Sequence, residues 1–223
     1  TLSDTETLLA LYIEYGLSAL EMCDGMFAFV IYDQKNNKLI LARDRLGKKP
    51  LYLYKNTRKI FIASELNTLL HSIPNLSIDE DSVATFLRVG FFNQNTTPYN
   101  DVEEVLPGYV YELNNSSLSV NKYSYFNIID SYRSPIDITH EEALLQLDSI
   151  LHQSVKDRLL ASDLDVGAFL SSGIDSSLVV AIASQYVDNL KTFTVKFDGH
   201  YDESRLAALT AKQFSTNHHE LRV

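Results

Sequence analysis

Partway along the 223 residues the rhythm of the apolar segments changes. Up to about residue 126 they are short runs separated by turn formers: FAFVIYD at 27–33, LILAR at 39–43, LYLYK at 51–55, IFIAS at 60–64, YVYEL at 109–113 and LSVNKYSYF at 118–126. Such runs read as consecutive antiparallel strands. Beyond about residue 140 strands and helices alternate: a helix at 140–160, a strand at 165–170, a helix at 176–187, a strand at 191–197, a helix at 203–214 and a strand beginning near 218. That pattern requires right-handed βαβ crossovers and a parallel sheet. The chain therefore reads as a mainly antiparallel α+β part over 1–127 and a parallel α/β part over 140–223. The less periodic stretch between them, 128–139, with its Ser, Pro and Asp, is the expected linker.

Three helices are expected in the first part. Ser3 or Asp4 opens one whose apolar positions Leu8, Leu9, Leu11, Tyr12 and Tyr15 follow a helical period, and Gly16 stops it. Others fall near 65–70 and at 79–89, the latter opened by Asp79. No run approaches the roughly 18–20 apolar residues of a membrane span. The start, TLSDTETLLALYIEYG, has neither a basic region nor a small-residue cleavage site, so export and membrane partners are not expected. One cysteine, Cys23, fits a reducing cytoplasm. A formal charge of −10 argues against nucleic acid as a partner. Residues 35–59 depart from it, with nine Lys or Arg against Asp44, and read as solvated faces and turns.

Chemistry concentrates in AFLSSGIDSSLVVAIAS, residues 168–184, where a strand runs through a small-residue loop into a helix. Free N–H groups at the helix start, the positive end of its dipole, and the hydroxyls of Ser171, Ser172 and Ser176 suit an anion. Gly173 lets a backbone approach closely. The loop lacks the Lys of a Walker loop, which disfavours an ordinary P-loop kinase or ATPase.

Ser171 to Ser176 resembles the SGGxDS pyrophosphate loop of the N-type ATP pyrophosphatases. With SDTE at 3–6, GMFAFVIYD at 25–33, RDRLGKKPLY at 43–52, ASEL at 63–66 and the later FTVKF, YDES and HHE segments, nearly the whole chain is similar to the glutamine-hydrolysing asparagine synthases. The resemblance implies an N-terminal-nucleophile glutaminase fold followed by an adenine-nucleotide-binding domain, both incomplete. It implies ATP and magnesium, glutamine, an aspartate or other carboxylate acceptor, and a possible homo-oligomer. The implied ATP-binding residues are Leu170, Ser171, Ser172, Gly173, Asp175, Ser176 and Val195. Asp175 doubles as a possible magnesium ligand, and Asp4 is implied to bind the amino group of glutamine. Leu170 and Val195 can equally be strand core, and Asp175 and Asp4 can be helix-end carboxylates.

Two departures stand out. Ser172 replaces the usual second glycine. The cysteine that family glutaminases carry as their first residue is missing, and Cys23 reads as a small buried hydrophobe. The expectation is an internal fragment, inactive alone as a glutaminase. Alternatives are a related amidotransferase acting on a sugar acid or forming a β-lactam, and a truncated nucleotide-binding chain without catalysis. His218, His219 and Glu220 are adjacent on a strand, so they cannot chelate one ion together. Arg43 to Pro50 reads as a turn with internal ion pairs, and Asp202 to Ser204 as a helix opening.

Overall fold

The computed structural model describes residues 3–93, 95–199 and 202–223. The chain forms two compact units, residues 1–135 and 136–223. Tyr201 of the YDES segment lies outside the described residues.

The first unit begins with α1 (Asp4–Tyr15), a single 3-10 turn and α2 (Ala19–Met22). Gly16 at φ 60° ends α1, a backbone state that favours glycine. The strands β1 (Ala28–Asp33), β2 (Lys38–Arg43), β3 (Tyr52–Lys55) and β4 (Ile60–Ala63) follow in sequence. Then come α3 (Leu66–Ser72), α4 (Glu80–Val89), β5 (Val102–Glu104), β6 (Tyr109–Asn114), β7 (Val120–Ser124) and α5 (Ile128–Arg133).

These strands do not form one meander. They divide into two antiparallel sheets, ordered β1-β2-β6-β7 and β4-β3-β5. Alternate residues explain how the sheets stack. Leu41, Leu53, Tyr111 and Leu113 point into a core shared by both sheets, together with Leu51 and Val105. Their neighbours Ile40, Ala42 and Val110 face the other way, onto Leu20, Tyr12 and Leu17 of the N-terminal helical segment. Tyr54 and Val102 turn from the shared core toward Leu69 and Ile73, in and just after α3. The result is helix, sheet, sheet, helix. Strands buried on both faces lose polar alternation, which is why LILAR reads as a continuous apolar run.

In the second unit Thr139 caps the 21-residue helix α6 (His140–Leu160) through a reciprocal bond pair with Glu142. The chain then runs β8 (Gly167–Phe169), α7 (Ile174–Ala183), β9 (Lys191–Lys196), α8 (Ser204–Gln213) and β10 (Asn217–Arg222). The strands pair in parallel in the order β10-β9-β8, as two successive βαβ units. Leu170, Val180, Ala183, Leu190, Ala207 and Ala211 form the core. Among the described residues no helix is long and apolar enough to cross a membrane.

Three details differ from the sequence reading. The expected linker contains α5, opened by Asn127, whose side chain accepts from the Ile129 N–H. β5 is a strand of three residues where none was read. α7 starts at Ile174 rather than 176, which places Asp175 inside its first turn.

Candidate functional site

β8 stops at Phe169, paired with Phe193, while β9 continues to Lys196. The chain therefore leaves the sheet early, and the loop 170–173 rises beside the uncovered end of β9. Leu170 is 2% exposed and anchors the turn. Its N–H donates to the Phe193 carbonyl and its own carbonyl accepts from the Thr194 hydroxyl.

A cleft of about 430 Å³ opens at this step. Leu170, Ser171 and Ser176 line its loop side, Phe193, Thr194 and Val195 its floor, and Glu203 its rim. Val195 is 38% exposed, because its face of the sheet is open there. An adjoining hollow reaches His219 and Leu221 across the same face. Phe193 holds an aromatic wall between them, edge-on to Phe169 at 6.5 Å and stacked on His219 at 5.3 Å between ring centres.

The loop is held by its own hydroxyls. Ser176 Oγ accepts from the Ser171 N–H at 3.1 Å and lies 2.9 Å from Ser171 Oγ, which accepts from the Gly173 N–H at 3.2 Å. The Ser172 N–H donates to Glu203 Oε2 at 3.2 Å. In the first turn of α7 the N–H groups of Ile174, Asp175 and Ser176 have no acceptor among the described residues. Those are the orphan donors that a helix start offers an anion. Gly173 is the N-cap residue with φ −75°, which any residue adopts, so it is not required for backbone freedom; a side chain there would meet Ser171 Oγ at 3.3 Å.

Of the residues read from the sequence, Leu170, Ser171, Ser176 and Val195 line one cleft. Ser172, Gly173 and Asp175 lie at its edge in the same loop and turn, with Asp175 exposed. Asp4 belongs to the other unit: it is exposed in the first turn of α1 behind Ser3, the N-cap residue, which makes no side-chain cap bond. Sequence reasoning missed Glu203. It took the residue only as a helix opening, and in the structure Glu203 is indeed the N-cap residue of α8 while Asp202 accepts from the Ser204 N–H. No sequence signal links positions 172 and 203; only the fold brings them together.

Magnesium is an expectation of the loop's chemistry. The described residues contain no group of three His, Cys, Asp or Glu that could hold a metal. A magnesium ion that keeps waters and binds chiefly to substrate phosphates needs only one or two carboxylates, and Asp175 and Glu203 are of the right kind. His218 and His219 are turned apart, His218 bonded to Thr192 and His219 stacked on Phe193. Glu220 pairs with Lys196 at 3.2 Å.

The Arg43 to Pro50 motif of the first unit is structural. Arg43, 6% exposed, donates to the carbonyls of Gly47, Lys49 and Val105 and pairs with Glu104 at 2.7 Å, so its ion pair reaches outside the turn. Asp44, 1% exposed, accepts from the N–H groups of Phe27, Leu46, Lys48 and Lys49. Within the basic run Lys38 pairs with Glu112 and Arg45 donates to the Glu21 carbonyl. The Cys23 thiol donates to the Ala19 carbonyl, and burial pushes its pKa up. A thiol raised in this way is not an activated nucleophile.

Comparison with known proteins agrees with both halves of this description. The family model described as a glutamine amidotransferase domain matches residues 1–124, more than half of the chain, which defines the class. The model described as asparagine synthase matches residues 146–223. The chain belongs to the glutamine amidotransferase family, and its last part is similar to the asparagine synthases. It is 32% identical over 225 residues to a putative asparagine synthetase [glutamine-hydrolyzing] 2 of Methanocaldococcus jannaschii, covering 97% of this chain and 42% of that protein. It is 32% identical to asparagine synthetase [glutamine-hydrolyzing] 1 of Bacillus subtilis over 88% of this chain and 30% of that protein. An amidase, chyE, of Penicillium rubens is 32% identical over 99% of this chain and 35% of its own length. The chain thus spans less than half the length of these relatives.

Proposed function

We propose that this chain carries the nucleotide-binding loop of a glutamine-dependent amidotransferase that makes an amide, with aspartate as the acceptor and ATP as the activating substrate. The observation that carries this reading is the cleft itself: Leu170, Ser171, Ser176 and Val195 meet at the C-terminal ends of parallel strands, beside the open N–H groups of α7. Ligands of open α/β sheets bind at that end.

In the proposed reaction the acceptor carboxylate attacks the α-phosphorus of ATP, the α–β bond breaks, and pyrophosphate leaves. Ammonia released from glutamine then attacks the acyl carbon and AMP departs. The adenosine part lies on the open floor formed by Phe193, Thr194 and Val195. The pyrophosphate lies against the first turn of α7, where N–H groups and the hydroxyls of Ser171 and Ser176 meet the negative charge of the leaving group. Magnesium, when bound, supplies further neutralisation of the polyphosphate, with Asp175 the residue to hold it. Asp4 is assigned to the amino group of glutamine, a carboxylate facing an ammonium. No residue among these 223 is assigned as the nucleophile of glutamine hydrolysis.

The test uses the intact protein: exchange of labelled pyrophosphate into ATP is expected to require magnesium and aspartate. Exchange that ignores aspartate but responds to another acid moves the acceptor to a different carboxylate, a relevant outcome given the amidase among the relatives. Absence of exchange with every acid tried removes the adenylation step.

A further inference from the structure

The cleft at the end of β8 has an electrostatic peculiarity for a place that receives a polyphosphate. Among the described residues, none of those lining it is a Lys or Arg, and Glu203 is its one charged lining side chain. That carboxylate also takes the Ser172 N–H at 3.2 Å, a loop donor that a phosphate oxygen would otherwise use. Asp175, exposed in the first turn of α7, adds a second negative charge to the same loop. A bare polyphosphate approaching the loop meets like charge and a donor already taken; one that arrives neutralised by a divalent cation meets two oxygen ligands.

We propose that Glu203 is a charge gate: it sits on the Ser172 N–H in the empty loop, excludes polyphosphate that comes without a divalent cation, and admits the metal-bound form. The proposal rests on the reading of the loop as the ATP site and assigns Glu203 a specificity role within it. The bond to Ser172 joins residues 31 positions apart, so it is a product of the fold and not of local turn chemistry. Nor is the side chain needed to start α8. Its residue is the N-cap position, but the side chain makes no capping bond, and Asp202 satisfies the Ser204 N–H instead.

Calorimetric titration of ATP into the intact protein, once with excess magnesium and once with excess EDTA, tests both layers. Wild type is expected to bind magnesium-ATP at least about tenfold more tightly than ATP in EDTA, because a charge within contact range of a polyphosphate acts on that scale even after solvent screening. Glu203→Gln and Glu203→Ala are expected to bind ATP in EDTA on the order of tenfold better than wild type, narrowing the gap, and Glu203→Asp to preserve it. A gap unchanged in Glu203→Gln and Glu203→Ala overturns the gate and leaves the ATP site standing. A gap that closes equally in Glu203→Asp also overturns it, because charge is then not the agent. Failure of wild type to bind ATP under either condition removes the site and the gate together. Thermal melting of each variant confirms that the fold is retained.

Discussion

Two loops of this molecule use similar materials and end in opposite conditions. The turn at 43–50 carries Arg43 and Asp44, both buried, and both of these charges are answered from within the chain: four N–H groups on Asp44, and three carbonyls plus Glu104 on Arg43. The loop at 170–176 is held together by two serine hydroxyls and leaves three helix N–H groups and the Asp175 carboxylate facing outward. A motif whose polar groups are all satisfied internally fixes structure. One that leaves donors open next to a cleft has what the proposed anion site needs.

The contrast is sharpest when a carboxylate is removed from each loop. Asp44→Ala strands several buried N–H groups and leaves Arg43 in an altered field, so a loss of about 4 kcal/mol in unfolding free energy is expected by urea titration. A loss under about 1 kcal/mol would mean water replaces the carboxylate and the turn is not a scaffold. Asp175→Ala is expected to leave the melting curve nearly unchanged and to weaken magnesium-ATP binding by about 30-fold, roughly 2 kcal/mol. Equal binding by the variant would break the comparison from the other side.

Glycines give a second, smaller pair. Gly47 has φ +64°, and a Cβ there would lie 2.8 Å from Pro107 Cγ and 3.0 Å from Arg43 Cζ, so Gly47→Ala is expected to cost about 1–2 kcal/mol of stability. The corresponding change at Gly173, in ordinary backbone, is expected to cost under about 0.5 kcal/mol. Ser172→Gly restores the residue the family usually carries and is expected to shift ATP affinity by less than about tenfold, or 1.4 kcal/mol, since the Ser172 N–H and not its side chain faces Glu203. A much larger gain would show that the serine obstructs the loop.

The smallest effect is a pH dependence at the start of α8. Hydrogen bonds from the Ser204 N–H and hydroxyl hold the Asp202 carboxyl below its usual pKa. A carboxyl lowered by folding contributes fully above its unfolded value of about 3.9, and the contribution is lost as pH falls through the lower folded value. Asp202→Asn is therefore expected to flatten the fall of stability below about pH 4 and to leave the rest of the curve unchanged.

Local signals predicted elements well where they were local. Asp79 caps α4 by accepting from the Ser82 N–H, as its position before the periodic run suggested, and α6 spans the residues its pattern outlined. The failures have a common physical cause, which is that tertiary partners decide them. LILAR carries apolar residues toward both faces, so its alternation gives no clue that β2 and β3 part into different sheets. β5 has three residues and α5 six, too few for a period to emerge. In the candidate site, the strand, the small-residue loop and the helix were readable from 168–184, but the floor laid by Phe193 and Thr194 and the reach of Glu203 depend on the pairing of β8 with β9.

The shortness of β8 has one more consequence. Because that strand ends three residues before its neighbour, the floor of the cleft and the loop beside it come from different stretches of chain, 193–195 and 170–176. Inheritance can therefore act on them separately. A lineage can exchange the side chain at Val195, and with it the surface of the sheet there, while the serines that hold the loop stay untouched, so that in the proposed site recognition of one end of the ligand can drift without disturbing the grip on the other.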